Sequence, residues 1–150
     1  MKKLLLIATA LFAGYTLFNS QHIATLNEAP SAISVQRTEE SAAAIANAFS
    51  NHESNLQVSG QGVVTKLFRD DKNGSRHQKF LIKLSSGQTL LVSHNIDLAP
   101  RINSLQEGDS VQFYGEYEWN EKGGVVHWTH RDPKGSHEAG WLQHQGERYQ

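Results

Sequence analysis

The chain has 150 residues, with 14 Lys or Arg against 15 Asp or Glu, 8 His and no Cys. That length supports one domain with a modest core plus a leader. The balanced charge removes a global field as a reason to bind DNA or an anionic membrane. The lack of cysteine excludes disulfides, thiolate metal sites and thiol catalysis.

Met1 to Ser20 opens with Lys2 and Lys3 and continues as an apolar run from Leu4 to Phe18. A positive start followed by an apolar segment predicts an export signal. The run is about 15 residues, short of the roughly 20 that span a bilayer. No small-x-small cleavage site follows Phe18, and Ala8-Thr9-Ala10 lies inside the apolar run. A cleaved signal peptide and an uncleaved N-terminal membrane anchor both remain open over residues 1–20. Either places the domain outside the cytoplasm, in the periplasm or on the inner membrane facing it.

Residues 21–37 are polar, contain Pro30 and are expected to be a linker. Thr38 is expected to cap a helix, with Glu39 and Glu40 in its first turn. Ala42, Ile45, Ala46 and Phe49 follow at helical spacing and give it a packing stripe. The domain is therefore drawn over residues 38–150.

Val58 to Phe68 predicts a first strand in which Gly60 and Gly62 share a face, as at a barrel corner. Asn73-Gly74 marks the turn out of it. His77 to Leu84 predicts a second strand, with Phe80, Ile82 and Leu84 inward and Lys79 and Lys83 outward. Thr89 to Asn95 predicts a third. Ile96 to Gln106 contains Pro100 and is expected to be a short helix or a loop anchored by Leu98, Ile102 and Leu105. From Val111 onward Phe113, Gly115, Tyr117 and Trp119 alternate with polar residues, so a fourth strand is expected with these facing inward. Asn120 to Gly124 is a turn and Val125 to Thr129 a fifth strand. This order predicts an all-β fold, a small five-stranded OB-like barrel with an N-terminal helix. After Pro133 the chain lacks periodicity and is expected to be an irregular tail, packed down by Trp141, Leu142 and Tyr149.

Several stretches carry a resemblance. They are HQKFLIKL (His77 to Leu84), HNIDLAPRI (His94 to Ile102), GEYEWN (Gly115 to Asn120), GGVVHWTH (Gly123 to His130), Asp132-Pro133 and the late GWL (Gly140 to Leu142). They are similar to the bacterial domain of unknown function 3465 family over roughly Gln57 to Gln150. The resemblance implies a small exported or envelope bacterial protein and assigns no activity.

Three constellations could carry chemistry. The first is the set His77, His94, Asp97, His127, His130, Asp132 and His137. Imidazoles and carboxylates bind divalent transition metals when cysteine is absent, and His94, His130 and Asp132 are the expected ligands. His127 and His130 are three apart, so on a regular strand they face opposite ways. The commoner role of such histidines is hydrogen bonding at strand ends. The second is the HNIDLAPR corner, where Asp97 pairs with Arg101 on a helical turn or with His94 in a base-like dyad. Its plainer reading is a capped polar corner. The third is the basic run Lys66, Arg69, Lys72, Arg76, Lys79 and Lys83 on the first hairpin, beside the aromatic Tyr117, Trp119 and Trp128. Barrels of this kind grip extended polymers there, so single-stranded nucleic acid or glycan is the expected partner class. Glu116, Glu118 and Glu121 oppose it, and a solvated charged face is the commoner meaning of such a run.

The sequence therefore points to an exported binding or accessory module of the bacterial cell envelope. Its ligand surface is expected to draw on His94, Asp97, Arg101, His127, Trp128, His130, Asp132, Lys79 and Lys83. The alternative is a metal-dependent hydrolase, of phosphodiesters for instance, with a His/Asp site in which Asp97 or Asp132 acts on water.

Overall fold

The computed structural model describes residues 32–150. The expected leader and the first part of the linker lie outside them. The chain divides into Met1–Ser34, of which only Ala32 to Ser34 are described, and a compact unit Val35–Gln150. Among the described residues, no helix is long and apolar enough to cross a membrane.

Helix α1 (Ala32–Ser50) begins inside the stretch expected as linker. No Gly or Pro interrupts residues 32–50, so nothing in that stretch delays the helix. Thr38, Glu39 and Glu40 consequently lie within it and not at its cap, and its first turn has no acidic residue. Ala42, Ile45 and Ala48 are its buried stripe and join the barrel core.

The strands are β1 (Leu56–Leu67), β2 (His77–Leu84), β3 (Thr89–Asn95), β4 (Ser110–Glu118), β5 (Val125–His127), β6 (Trp141–His144) and β7 (Glu147–Tyr149). The first five close in the order β1-β2-β3-β5-β4-β1. β3 and β5 pair in parallel and the other pairs are antiparallel. This is the closed five-stranded barrel with an N-terminal helix that the sequence predicts.

Closure depends on β1. Its first part pairs with β4, from Leu56 opposite Tyr117 to Val63 opposite Ser110. Its second part pairs with β2, from Gly62 opposite Leu84 to Leu67 opposite Phe80, with a bulge between Val64 and Lys66. One strand thus serves two neighbours by bending. Gly60 lies against the Phe113 ring, where a Cβ would stand 2.6 Å from Cζ. The inward residues of β2, β3 and β4 alternate strictly, and Phe80, Ile82, Leu90, Val92, Val111, Phe113 and Tyr117 fill the interior.

Of the two forms expected before β4, residues 96–109 take the loop, and it is held by Gln78. Its buried amide donates to the Ile102 carbonyl at 2.9 Å and accepts from the Ile102 N–H at 2.9 Å. One side chain thereby replaces the missing backbone pairing. The tail is a hairpin, not irregular: β6 pairs with β4 and β7 with β6. Its turn is Gln145-Gly146, both with positive φ (50° and 82°), the conformation that suits a two-residue hairpin loop. Trp119 is half-buried beyond the end of β4, where its indole N–H donates to the Phe49 carbonyl at 3.1 Å and ties the strand to the end of α1.

Candidate functional site

The predicted candidates fall into three places. At the first-hairpin corner, Arg76 pairs with Asp97 at 2.6 Å, Lys79 with Asp71 at 2.6 Å and Arg101 with Asp70 at 3.0 Å. Asp97 therefore pairs with neither Arg101 nor His94: Arg76 takes its carboxylate, Arg101 turns to Asp70, and His94 faces Thr129 and Pro100. The Arg76 backbone N–H, and then its guanidinium, hold the Asp97 carboxyl below its usual range. The Lys79 ammonium does the same for Asp71. Two of the six residues of the basic run, Arg76 and Lys79, are thus neutralised locally, while Lys83 stays exposed on the outer face of β2. Beside these pairs lies an open cleft of about 790 Å³ lined by Phe68, Arg69, Asp70, Asp71, Lys72, Asn73 and Arg101. Phe68 is 39% exposed on its wall.

The second place is the interior at the end of β3. His94 is fully buried. Its Nε2 faces the Pro100 carbonyl at 3.1 Å, and its Nδ1 faces the Thr129 hydroxyl at 2.8 Å. A carbonyl only accepts, so Nε2 carries the hydrogen and Nδ1 accepts from Thr129. Burial pushes the His94 pKa down to about 4, with the nearby His130 and His77 acting in the same direction. His130 is also buried, its Nδ1 bonded to the Arg131 carbonyl at 2.8 Å. Asp132 instead organises the following loop. It accepts from the backbone N–H groups of Lys134, Ser136 and His137 and from the Ser136 hydroxyl, at 2.7–3.0 Å. These bonds, the Lys134 N–H first, hold its pKa far below normal. Among the described residues, the ligand atoms of His94, His130 and Asp132 do not gather as a set that could share an ion.

The third place is the outer face of β4 and β5. β5 ends at His127, because Trp128 takes a left-handed φ of 52°. Glu116 is directly opposite His127 in the ladder, and Glu118 is one step along on the same face. His127 Nε2 stands 3.4 Å from Glu116 Oε1 and 3.9 Å from Glu118 Oε1. That nitrogen is shut off from solvent and makes no hydrogen bond. Gln57 Nε2, opposite Glu116 on β1, is likewise buried and unsatisfied. The other Glu116 oxygen meets His137 Nε2 at 2.7 Å. His137 Nδ1 faces the Glu138 carbonyl at 2.8 Å. Both ring nitrogens thus meet acceptors, which favours the imidazolium. The Glu116 contact accordingly raises the His137 pKa. The His137 ring stacks on Trp128, with centroids 4.0 Å apart and planes 7° from parallel.

Sequence reasoning found His127 and Trp128 and missed their partners. Glu116 and Glu118 were read only as negative charge opposing a polymer. Their i, i+2 spacing on a strand across from a histidine was the available signal. His137 belongs to the expected His/Asp set, but nothing in the sequence places it beside Trp128 and Glu116, because it arrives through the Asp132-anchored loop. A further group links Ser104, His144 and Asp109, with His144 Nε2 2.8 Å from Asp109 Oδ2 and Nδ1 3.5 Å from Ser104 Oγ. Asp109 also caps the Gln106 N–H at 2.8 Å, so this group fastens β6 to the loop before β4.

A search of curated proteins finds no match to the chain. The profile of the family described as "Protein of unknown function (DUF3465)" matches residues 28–150, which takes in all the strands described above. The chain belongs to the DUF3465 family of proteins of unknown function.

Proposed function

We propose that the chain is an exported accessory module of the bacterial envelope that binds an extended glycan at the first-hairpin cleft. The observation that carries this reading is the cleft itself, formed by the loop between β1 and β2 with Arg101 on its wall. Support comes from the small five-stranded barrels that bind oligonucleotides and oligosaccharides, in which the loop between strands one and two helps grip the ligand. The half-exposed Phe68 ring offers a flat apolar face, and the Arg101–Asp70 pair and Asn73 offer planar polar groups for hydroxyls. A sugar face suits that mixture. A polyanion suits it less, because Asp70 and Asp71 line the same cleft and the net charge is −1. The export part of the reading rests on the leader, with Lys2 and Lys3 ahead of an apolar run, on residues 1–20.

The test is co-sedimentation of the full chain with insoluble cell-wall glycan, beside anisotropy titration of a labelled single-stranded oligonucleotide at about 150 mM salt. The expected result is sedimentation with the glycan that is lost in a Phe68→Ala, Arg69→Ala double variant. Sedimentation unchanged in that variant, or binding of the oligonucleotide alone, refutes the glycan reading.

A further inference from the structure

On a different face from the cleft, the geometry points to a second site: we infer that Glu116, Glu118 and His127 bind one divalent transition ion of the zinc type on the outer face of β4 and β5. One donor atom from each side chain lies within 4.8 Å of the others. Zinc–nitrogen and zinc–oxygen bonds are about 2.0–2.2 Å, which puts tetrahedral ligands roughly 3.3–3.6 Å apart. The 3.4 and 3.9 Å separations of His127 Nε2 from the two carboxylates already approach that spacing.

The donor set itself holds an unsatisfied atom: the His127 side chain is partly exposed, but its Nε2 is covered and has no hydrogen-bond partner. A buried imidazole nitrogen without a partner is costly, and native proteins seldom leave one. His127 Nε2 is aimed between two carboxylate oxygens yet bonds neither. A cation between them satisfies all three atoms at once. Two carboxylates and a neutral imidazole balance a charge of +2, and one imidazole in the set favours zinc, nickel or copper over magnesium. Three protein ligands leave a coordination position for water or a further donor.

The surroundings fit a metal ligand set. Glu116 offers one oxygen to the site and keeps the other on His137 Nε2, which fixes the carboxylate as an outer hydrogen bond does around metal ligands. Trp128 stacks on His137 and holds that ring in place. The ion would join β4 to β5, the three-residue strand that closes the barrel. Bound metal should therefore raise thermal stability as well as occupy the site.

The experiment uses the full chain, stripped with chelator and dialysed. Zinc is titrated calorimetrically, cobalt is followed by its visible absorption, and the melting midpoint is read with and without zinc. The expected result is one zinc per chain, visible bands of cobalt with nitrogen and oxygen ligands, and a midpoint that rises with metal. Glu118→Gln and His127→Gln should each weaken zinc at least tenfold and abolish the rise. Both side chains lie on the partly exposed outer face, so the variants should fold, and their circular dichroism checks this. Glu107→Gln, at an exposed carboxylate in the loop before β4, should bind as the parent does. Equal binding in the parent and in Glu118→Gln, or no binding by the parent, overturns the inference. Loss of glycan sedimentation with zinc binding intact would refute only the cleft reading, and the converse only this one.

Discussion

Acid should weaken this protein through His94 well above the pH at which its carboxylates titrate. His94 is fully buried as the neutral Nε2–H tautomer, with both ring nitrogens satisfied by Pro100 and Thr129. Its pKa is pushed down to about 4 from 6.5. The folded chain therefore holds fewer protons at this residue than the unfolded chain between those two values. The stability involved is complete above pH 6.5 and is lost as the pH falls towards 4. At about 1.4 kcal/mol per decade, linkage sets the loss at about 3 kcal/mol in the limit and about 2 kcal/mol at pH 5. That is a large part of the 5–15 kcal/mol typical of a domain. His137 works in the opposite sense: its raised pKa adds stability at low pH that is lost as the pH rises through it. The informative quantity is thus the difference between the parent and His94→Gln. Urea unfolding at steps from pH 7.5 to 4.5 gives both curves. The glutamine amide can donate to Pro100 and accept from Thr129 without titrating. The parent should lose about 2 kcal/mol more than the variant between pH 7 and 5. Parallel curves would refute the buried neutral histidine, whatever the variant's absolute stability.

Other perturbations test the packing. Gly140→Ala places a Cβ 2.0 Å from the Trp128 carbonyl oxygen and 2.4 Å from that of Tyr114. Both are backbone atoms, so the change should cost about 2–3 kcal/mol in urea unfolding and detach the tail hairpin. Phe80→Ala, in the fully buried interior, should cost about 3–5 kcal/mol by the same assay. Trp119→Phe keeps the ring near Phe49 but removes the indole hydrogen bond to its carbonyl, for a loss of about 1 kcal/mol. Asp132→Ala frees the N–H groups of Lys134, Ser136 and His137, so their hydrogen exchange should quicken while that of β2 stays unchanged.

The barrel was legible because its strands advertise themselves in period two. β2 and β3 match their expected bounds residue for residue, and Gly60 and Gly62 on one face announced the bend of β1, where the Phe113 ring packs against Gly60. The tail was missed because β6 and β7 are four and three residues long, too short for a periodic signal. Only the Gln145-Gly146 turn was there to be read. The early start of α1 went unseen because Thr38 with Glu39 and Glu40 imitates a cap that the chain does not use. Among the site residues, the histidines were visible but their partners were not. His94 finds Thr129, and His127 finds Glu116, across 35 and 11 positions of sequence, and only the register between strands sets those meetings.

That register also explains why the chemistry gathers where β5 ends. β5 closes the barrel with three residues, of which two align with β3. So short a closing strand is a weak seam. The chain beyond it leaves the ladder at Trp128 and is fastened by other means. Thr129 is held by His94, and the His130 carbonyl accepts from the Gly140 N–H at 2.9 Å. The Asp132 loop then carries His137 back over Trp128 to Glu116. Irregular backbone brings side chains from distant positions onto one face, which a regular strand with its fixed alternation does not do. Gly115 and Gly140 permit the approach: a Cβ on Gly115 would stand 2.4 Å from the His127 carbonyl oxygen. The same shortness that leaves the seam weak therefore places His127 between two carboxylates, and an ion bound there would strengthen the point of closure that the backbone secures least.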